Sequence, residues 1–371
     1  MKIKNTDKIW SPVTFKDGNQ NDIISLINND AQNRGSKALF DIDYWNWKYK
    51  NNSAGFFPKW INLALYRGEE DLVIGHYAVI PLIISSNNKL ILGGQSVDIL
   101  TSNKFRNQGV FTEIANNCYK ELVEDKVSCA ITFPNERSYP GLIKLGWKKV
   151  LTATEYGYII DANKLTKYKY NSFHKRIIAF LALRFIYQFT SALNYFKGNK
   201  LLKINSIEID EIDITIIQSI LSSNYKCFIH RSKEYLKWRY LDCPLKEEIS
   251  VKKITYNNTV VGYYIVKYKD YPHRNNVRIA HIMELILDDS VKGIYNTVLN
   301  KIIAEAKIKK ATLVYSYSHT NQNDFKAYKY FGFLKLDKKE FVVKNMQDTN
   351  GEDHLFESES WFISQGDSDR A

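Results

Sequence analysis

Read as a pattern of apolar and polar positions, the first 160 residues divide into short elements separated by turn residues. Trp60–Arg67 alternates, Leu72–Ile84 is largely apolar, and Gly68-Glu69-Glu70-Asp71 between them supplies turn chemistry, so the three predict a β-hairpin. Val13–Lys16 predicts a short strand and Asn21–Ile27 a short amphipathic helix, while Asp41 is placed to cap a further helix reaching Tyr49. Gly93–Thr101 reads as a strand and Val110–Glu124 as a helix. Ser128–Phe133 follows as a buried strand, then Tyr139–Leu145 as a short helix stopped by Gly146. Lys148–Ile160 can supply a closing hairpin.

The pattern returns. Tyr44-Trp45-Asn46-Trp47-Lys48-Tyr49 recurs 191 positions later as Tyr235-Leu236-Lys237-Trp238-Arg239-Tyr240. Val73-Ile74-Gly75-His76-Tyr77 recurs 187 positions later as Val260-Val261-Gly262-Tyr263-Tyr264, and Leu145-Gly146-Trp147 recurs 186 later as Phe331-Gly332-Phe333. Three motifs in one order at nearly one spacing predict a duplicated domain. The expected division is a domain at 1–163, a basic helical linker at 164–203, a second domain at 204–346 and a polar tail at 347–371. Within that tail Trp361-Phe362-Ile363 are the residues able to tie it down. The linker centre, Ile177–Ile186, is apolar and punctuated by His174, Lys175, Arg176 and Arg184. It reads either as an interdomain packing helix or as a basic helix making peripheral membrane contact through 174–189.

Composition sharpens this only in part. At 371 residues two domains are expected, and 44% hydrophobic with 25% charged residues is ordinary for a soluble globular chain. The net charge of +12 suits an anionic cofactor, an anionic surface such as membrane or RNA, or plain solubility. The four cysteines, Cys118, Cys129, Cys227 and Cys243, lack CxxC spacing, so no metal and no disulfide framework is expected. No apolar signal core follows Met1 and no window matches a membrane span, which makes cytoplasmic the expected location, at the inner membrane face if the linker docks there. Nothing in the pattern specifies an oligomeric state.

The strand Gln95–Thr101 runs through Ser102–Gln108 into Gly109 and the helix beginning at Val110. A strand, a glycine-containing turn and a helix N-terminus form an anion site, because unpaired backbone N–H groups and the helix dipole point outward there. Gly109 allows close backbone approach, and Arg106 adds a permanently ionised donor fork.

This segment, Arg106-Asn107-Gln108-Gly109-Val110-Phe111, resembles the pyrophosphate signature of the GNAT superfamily of N-acetyltransferases, Gln/Arg-x-x-Gly-x-Gly/Ala, and the surrounding element order is the family's. Phe111 departs from the usual small residue. The resemblance covers most of the first copy and, more faintly, the second; it is nearest to tandem-GNAT proteins found with bacterial surface-polysaccharide synthesis. It implies an α/β fold of two tandem domains, each a mostly antiparallel mixed sheet flanked by helices, with strands 4 and 5 splayed. It implies acetyl-CoA as co-substrate and no metal, with the pantetheine arm along the main chain of Ile99, Leu100 and Thr101. Phosphates would then lie on Arg106 to Phe111, Asn135 would hold the coenzyme arm, and Ser138 would lie near the thioester.

Acyl transfer from a thioester to an amine needs a base for the ammonium, donors for the oxyanion and a proton for the thiolate. Asp98, on the same strand face as Ser96 by alternation, and His76 are the candidate bases. The family's usual acid, a tyrosine four residues before the helix-ending glycine, is Leu142 here, so Tyr139 is the substitute. The second copy has that tyrosine, Tyr328, but its loop carries Asp288 and Asp289 where phosphates would sit, which marks it as degenerate. Three functions remain in view. The first is an N-acyltransferase moving acetyl to a small primary amine such as an amino sugar. The second is a peptidyl transferase of tandem GNAT-like fold using aminoacyl-tRNA, although the partly intact coenzyme loop argues against a nucleic-acid partner. The third is a non-catalytic acyl-CoA-binding or membrane-surface module.

Overall fold

The computed structural model describes residues 9–33, 40–67, 72–169, 198–245, 247–271, 276–347 and 353–368. The expected turn at 68–71 and membrane-contact helix at 174–189 lie outside the described residues. The chain forms two compact units. Unit 1 is Met1–Val150 with Leu241–Leu245 and Phe341–Phe356; unit 2 is Leu151–Tyr240, Lys246–Glu340 and Glu357–Ala371.

Unit 1 holds β1 (Trp10–Thr14), α1 (Gln20–Asn33), α2 (Ile42–Trp45), β2 (Ile61–Tyr66), β3 (Leu72–Ser86), β4 (Lys89–Thr101), α3 (Val110–Glu124), β5 (Cys129–Thr132) and α4 (Tyr139–Lys144). α2 continues as a wider π turn, Asn46–Lys50. The expected hairpin forms, with Ile61 opposite Ala78 and Tyr66 opposite Leu72. β3 and β4 run longer than alternation suggested because Asn87 and Asn88, both with positive φ, make the tight turn between them. The apolar stripe of α3, Val110, Ile114, Ala115, Cys118, Tyr119 and Leu122, is buried on the sheet beside Trp60, Ile74 and Tyr77. Burying each large apolar side chain contributes about 1.5–3 kcal/mol.

Unit 2 repeats the scheme with α6 (Ile214–Asn224), β8 (Cys227–Ile229), α7 (Lys233–Tyr240), β9 (Glu248–Tyr256), β10 (Thr259–Tyr271), β11 (Val277–Leu287), α8 (Ile294–Ile308), β12 (Leu313–Ser318) and α9 (Asn323–Tyr330). β6 (Lys148–Ile159) is one uninterrupted strand rather than the expected hairpin, and from Leu151 it belongs to unit 2, pairing antiparallel with β12 from Ile159 opposite Leu313 to Thr154 opposite Ser318. Conversely, the end of β13 (Leu334–Asn345) belongs to unit 1 and pairs with β5, Val342 opposite Thr132. Each unit is thus closed by a strand from the other half of the sequence. Between β6 and the rest of unit 2 comes α5 (Ala162–Lys169), followed later by β7 (Leu202–Ser206), which pairs with β9. The C-terminal residues, expected as a polar tail, include a buried stretch at 360–368, because Trp361, Phe362 and Ile363 enter the unit 2 interior.

Candidate active site

In unit 1, β4 and β5 run parallel only from Gly93 opposite Cys129 to Gln95 opposite Ile131. The Thr132 hydroxyl still donates to the Ser96 carbonyl at 2.8 Å, and beyond this tie β4 continues to Thr101 with β3 alone. The strands therefore part, as the resemblance implied, and Ile99, Leu100 and Thr101 are partly exposed.

Past Thr101 a short turn at Asn103–Phe105 leads to Asn107 and Gly109, both with positive φ (61° and 80°). Gly109 is the N-cap of α3 and no side chain caps the helix, so its first N–H groups face the loop. A Cβ at Gly109 would meet nothing within 4 Å, which leaves room for a phosphate. Arg106 donates through Nε to the Thr101 carbonyl (3.3 Å) and lies 3.5 Å from Asp30, and Gln108 donates to the Lys104 carbonyl (3.2 Å). Phe111 has a packing reason: its ring lies over Gly141, where an added Cβ would approach it to 2.6 Å.

After β5, the Asn135 side-chain oxygen accepts from the N–H groups of Arg137 (2.9 Å) and Ser138 (3.0 Å), tying the entry to α4. The Ser138 hydroxyl donates to the Asn135 carbonyl at 3.3 Å. Tyr139 packs its ring on the unit 1 core and Leu142 is fully buried within it.

The candidate bases converge. Asp98 sits in a bulge of β4, where the register with β3 slips between His76 and Ala78, and has φ of 49°. The bulge breaks the alternation that would have put Asp98 beside Ser96. The Ser96 hydroxyl donates to Tyr77 (2.6 Å), whereas the Asp98 carboxylate meets the Lys48 ammonium (2.8 Å) and accepts from the Tyr49 hydroxyl (2.6 Å). Lys48 and Tyr49, buried on the π turn, stand out in the sequence only as part of a repeated motif. Burial alone would raise the Asp98 pKa, but the Lys48 charge and the bonds from Lys48 and Tyr49 outweigh it and hold the group below its ordinary value.

His76 is wholly buried, and its Nδ1 lies 2.8 Å from the Asp98 carbonyl, which can only accept. Nδ1 therefore carries the proton and Nε2 the lone pair, and Nε2 is buried with no hydrogen-bond partner among the described residues. Burial lowers the His76 pKa against the opposing pull of the Asp98 carbonyl and carboxylate, so the ring is neutral near pH 7.

Unit 2 repeats the frame with other chemistry. β11 and β12 pair in parallel only from Ile279 opposite Leu313 to His281 opposite Tyr315. Gly293 (φ 77°) caps α8 as Gly109 caps α3, but Asp289 fills the loop, held by Tyr295 (2.7 Å) and Asn323. β11 carries a bulge beside Glu284, and the Tyr240 hydroxyl donates to Glu284 at 2.9 Å as Tyr49 does to Asp98. Tyr328, placed by sequence where the family has its acid, is fully buried and bonded to Ser316 (2.9 Å). Among the described residues no group of three or more His, Cys, Asp or Glu side chains is placed to hold a metal, and no helix is long and apolar enough to cross a membrane.

The parted strands beside a helix start without a side-chain cap are features of an α/β fold. Comparison with solved structures names the fold. A GCN5-related N-acetyltransferase from Anabaena variabilis aligns over 91% of this chain and 73% of its own, with TM-score 0.59 and 10% identity. Saccharomyces cerevisiae N-myristoyltransferase with bound myristoyl-CoA aligns over 91% and 79%, with TM-score 0.60 and 12% identity. A GCN5-related N-acetyltransferase from Kribbella flavida aligns over 91% and 71%, with TM-score 0.56 and 9% identity. No family model and no curated protein sequence matches the chain. The chain has the fold of the GNAT superfamily.

Proposed function

We propose that unit 1 binds an acyl-coenzyme A and transfers its acyl group, acetyl in the first instance, to a primary amine. The observation that carries this reading is the parting of β4 and β5 beside the uncapped start of α3 at Gly109. The fold is shared with a protein holding myristoyl-CoA, and the residues present fit such a ligand: open space at Gly109, a start of α3 that no side chain caps, and Arg106 alongside. The coenzyme supplies an activated thioester. Ile99 to Thr101 offer main-chain groups to an extended arm, and Arg106 exchanges Asp30 for a phosphate.

The chain's own residues divide the proton work. Asp98 is a poor base because Lys48 and Tyr49 stabilise its ionised form. His76 is neutral, with a free Nε2 lone pair and the Asp98 carboxylate near enough to stabilise the imidazolium. His76 takes the proton of the attacking ammonium, Asp98 and Lys48 fix the bulge that holds its ring, and Tyr139 returns a proton to the leaving sulfur. As the amine nitrogen bonds the carbonyl carbon, the carbon–sulfur bond breaks. The acceptor class is an amino sugar or another small amine, with nucleotide-linked amino sugars tried first.

Purified protein incubated with acetyl-CoA or myristoyl-CoA and an amine panel, read by mass spectrometry, tests the transfer. Acetyl-CoA is expected to raise the melting temperature, and Arg106→Glu to abolish the rise. No rise at millimolar ligand, or no acylated amine from any donor, removes this reading.

A further inference from the structure

The unit 2 counterpart of the Asp98 site is filled by the chain itself. Trp361 pairs with Cys227 as an isolated parallel bridge, and the Phe362 N–H donates to the Cys227 carbonyl at 2.9 Å. The Phe362 ring lies against Tyr225, with the Arg231 guanidinium 5.5 Å from its centre. This aromatic anchor delivers the turn Ser364–Ser368. Within it the Asp367 carboxylate accepts from the Ser364 N–H at 2.7 Å, closing the loop on itself.

Two buried arginines read the turn. Arg231 lies 2.6 Å from the Asp367 carboxylate and 3.2 Å from Glu284, and donates to the Ser364 hydroxyl at 3.0 Å. Arg239 donates to the Gly366 carbonyl at 3.0 Å and to the Ser368 carbonyl. Gly366 is moulded to the site: a Cβ there would come within 2.4 Å of the Tyr240 hydroxyl and 2.5 Å of Glu284 Oε1. The same tyrosine–carboxylate pair in unit 1 leaves the Asp98 side chain 11% exposed, against 3% for Glu284. Without Asp367, the buried Arg231 would keep Glu284 as its carboxylate partner, while Lys267 is itself paired to Glu247.

We propose that the unit 2 cleft is a binding site for a short peptide of stated form, an aromatic–aliphatic anchor followed by a glycine–aspartate turn, and that residues 361–368 are its resident ligand in cis. Arg231 selects the aspartate, Arg239 holds the main-chain carbonyls of the turn, the wall of Tyr240 and Glu284 selects the glycine, and the apolar seat at Cys227 and Tyr225 takes the anchor. A site so filled leaves unit 2 closed to an acyl acceptor. The inference does not rest on the acyltransferase reading of unit 1.

The test uses the full chain carrying Gly366→Val and hydrogen exchange of the tail amides. Exchange across 357–368 is expected to rise about tenfold or more, as expected when buried charge partners separate, while amides of β2 to β4 keep wild-type rates. A labelled synthetic peptide of residues Trp361–Ser368 should bind this variant and not the wild type, whose site is taken. The same peptide with Asp367→Asn should bind at least about tenfold more weakly. Wild-type protection in Gly366→Val, or equal binding of the two peptides, overturns the proposal. If Gly366→Val does not fold, full-length Asp367→Asn, which keeps the volume, is read by the same exchange: faster exchange confined to 357–368 supports the site, and unchanged exchange overturns it.

Discussion

Unit 1 and unit 2 raise a carboxylate at the same place and do opposite things with it. In both, a strand bulge presents the acid and a tyrosine from the preceding aromatic helix donates to it: Tyr49 to Asp98, Tyr240 to Glu284. In unit 1 one ammonium faces one carboxylate, so Asp98 stays ionised. In unit 2 burial, with Asp367 sharing Arg231, pushes Glu284 above the ordinary carboxylate range. His76 leaves a free lone pair in unit 1, whereas Tyr263 at the matching position is engaged by the Asp213 N–H at 3.2 Å. The helix-capping glycines are alike, yet one loop offers Arg106 and the other Asp289. A shared backbone fixes where chemistry can occur; the charges set on it decide whether it does.

The largest expected effect separates the units by catalysis. His76→Ala should lower amine acylation about 100- to 10,000-fold, the usual worth of a positioned base, with coenzyme affinity unchanged in calorimetry. Tyr263→Phe should leave the rate alone, and equal losses would erase the distinction. Next comes stability in denaturant. Arg231→Met strands Glu284 and Asp367 and should cost about 3–5 kcal/mol. Lys48→Met leaves Asp98 bonded to Tyr49 and partly exposed, and should cost about 1–3 kcal/mol; the reverse order would break the comparison.

A smaller effect appears in pH. His76 and Asp98 have folded pKa values below their unfolded ones. Their stabilisation is present above the unfolded values of about 6.5 and 3.9 and fades as pH falls through the folded ones. Glu284, raised on folding, contributes below its unfolded value of about 4.3 and loses that contribution as pH rises through the folded one. Unfolding free energy should therefore fall as pH drops below about 6.5 in the wild type, and His76→Gln should make that fall shallower, leaving the share of His281 and His319, which burial lowers to about 3 and about 4.

Much of this was legible because it is local. Gly109 after an alternating strand announced the loop, and the repeated aromatic motif marked Tyr49 and Tyr240, the two tyrosines that donate to a carboxylate. What stayed hidden depends on distant pairing. Nothing near Asp98 signals a positive φ, and the bulge that turns it away from Ser96 is set by register against β3. Lys48 lies 50 positions from its partner in the chain and reads as one cation among many. The exchange of β6 and β13 was invisible for the same reason: each strand has the composition to close either sheet, and only pairing with β12 or β5 decides. Phe111, an apparent flaw in the loop motif, is explained by Gly141, thirty residues on.

The central claim is that one unit, not both, takes acyl-coenzyme A. Isothermal titration of acetyl-CoA into the wild type, Gly109→Val and Gly293→Val tests it most directly. The account predicts one ligand per chain, a loss of at least about tenfold in affinity when a β-branched side chain is forced to positive φ at Gly109, and wild-type affinity in Gly293→Val. Two ligands per chain, none, or affinity that follows Gly293 instead of Gly109 would contradict it.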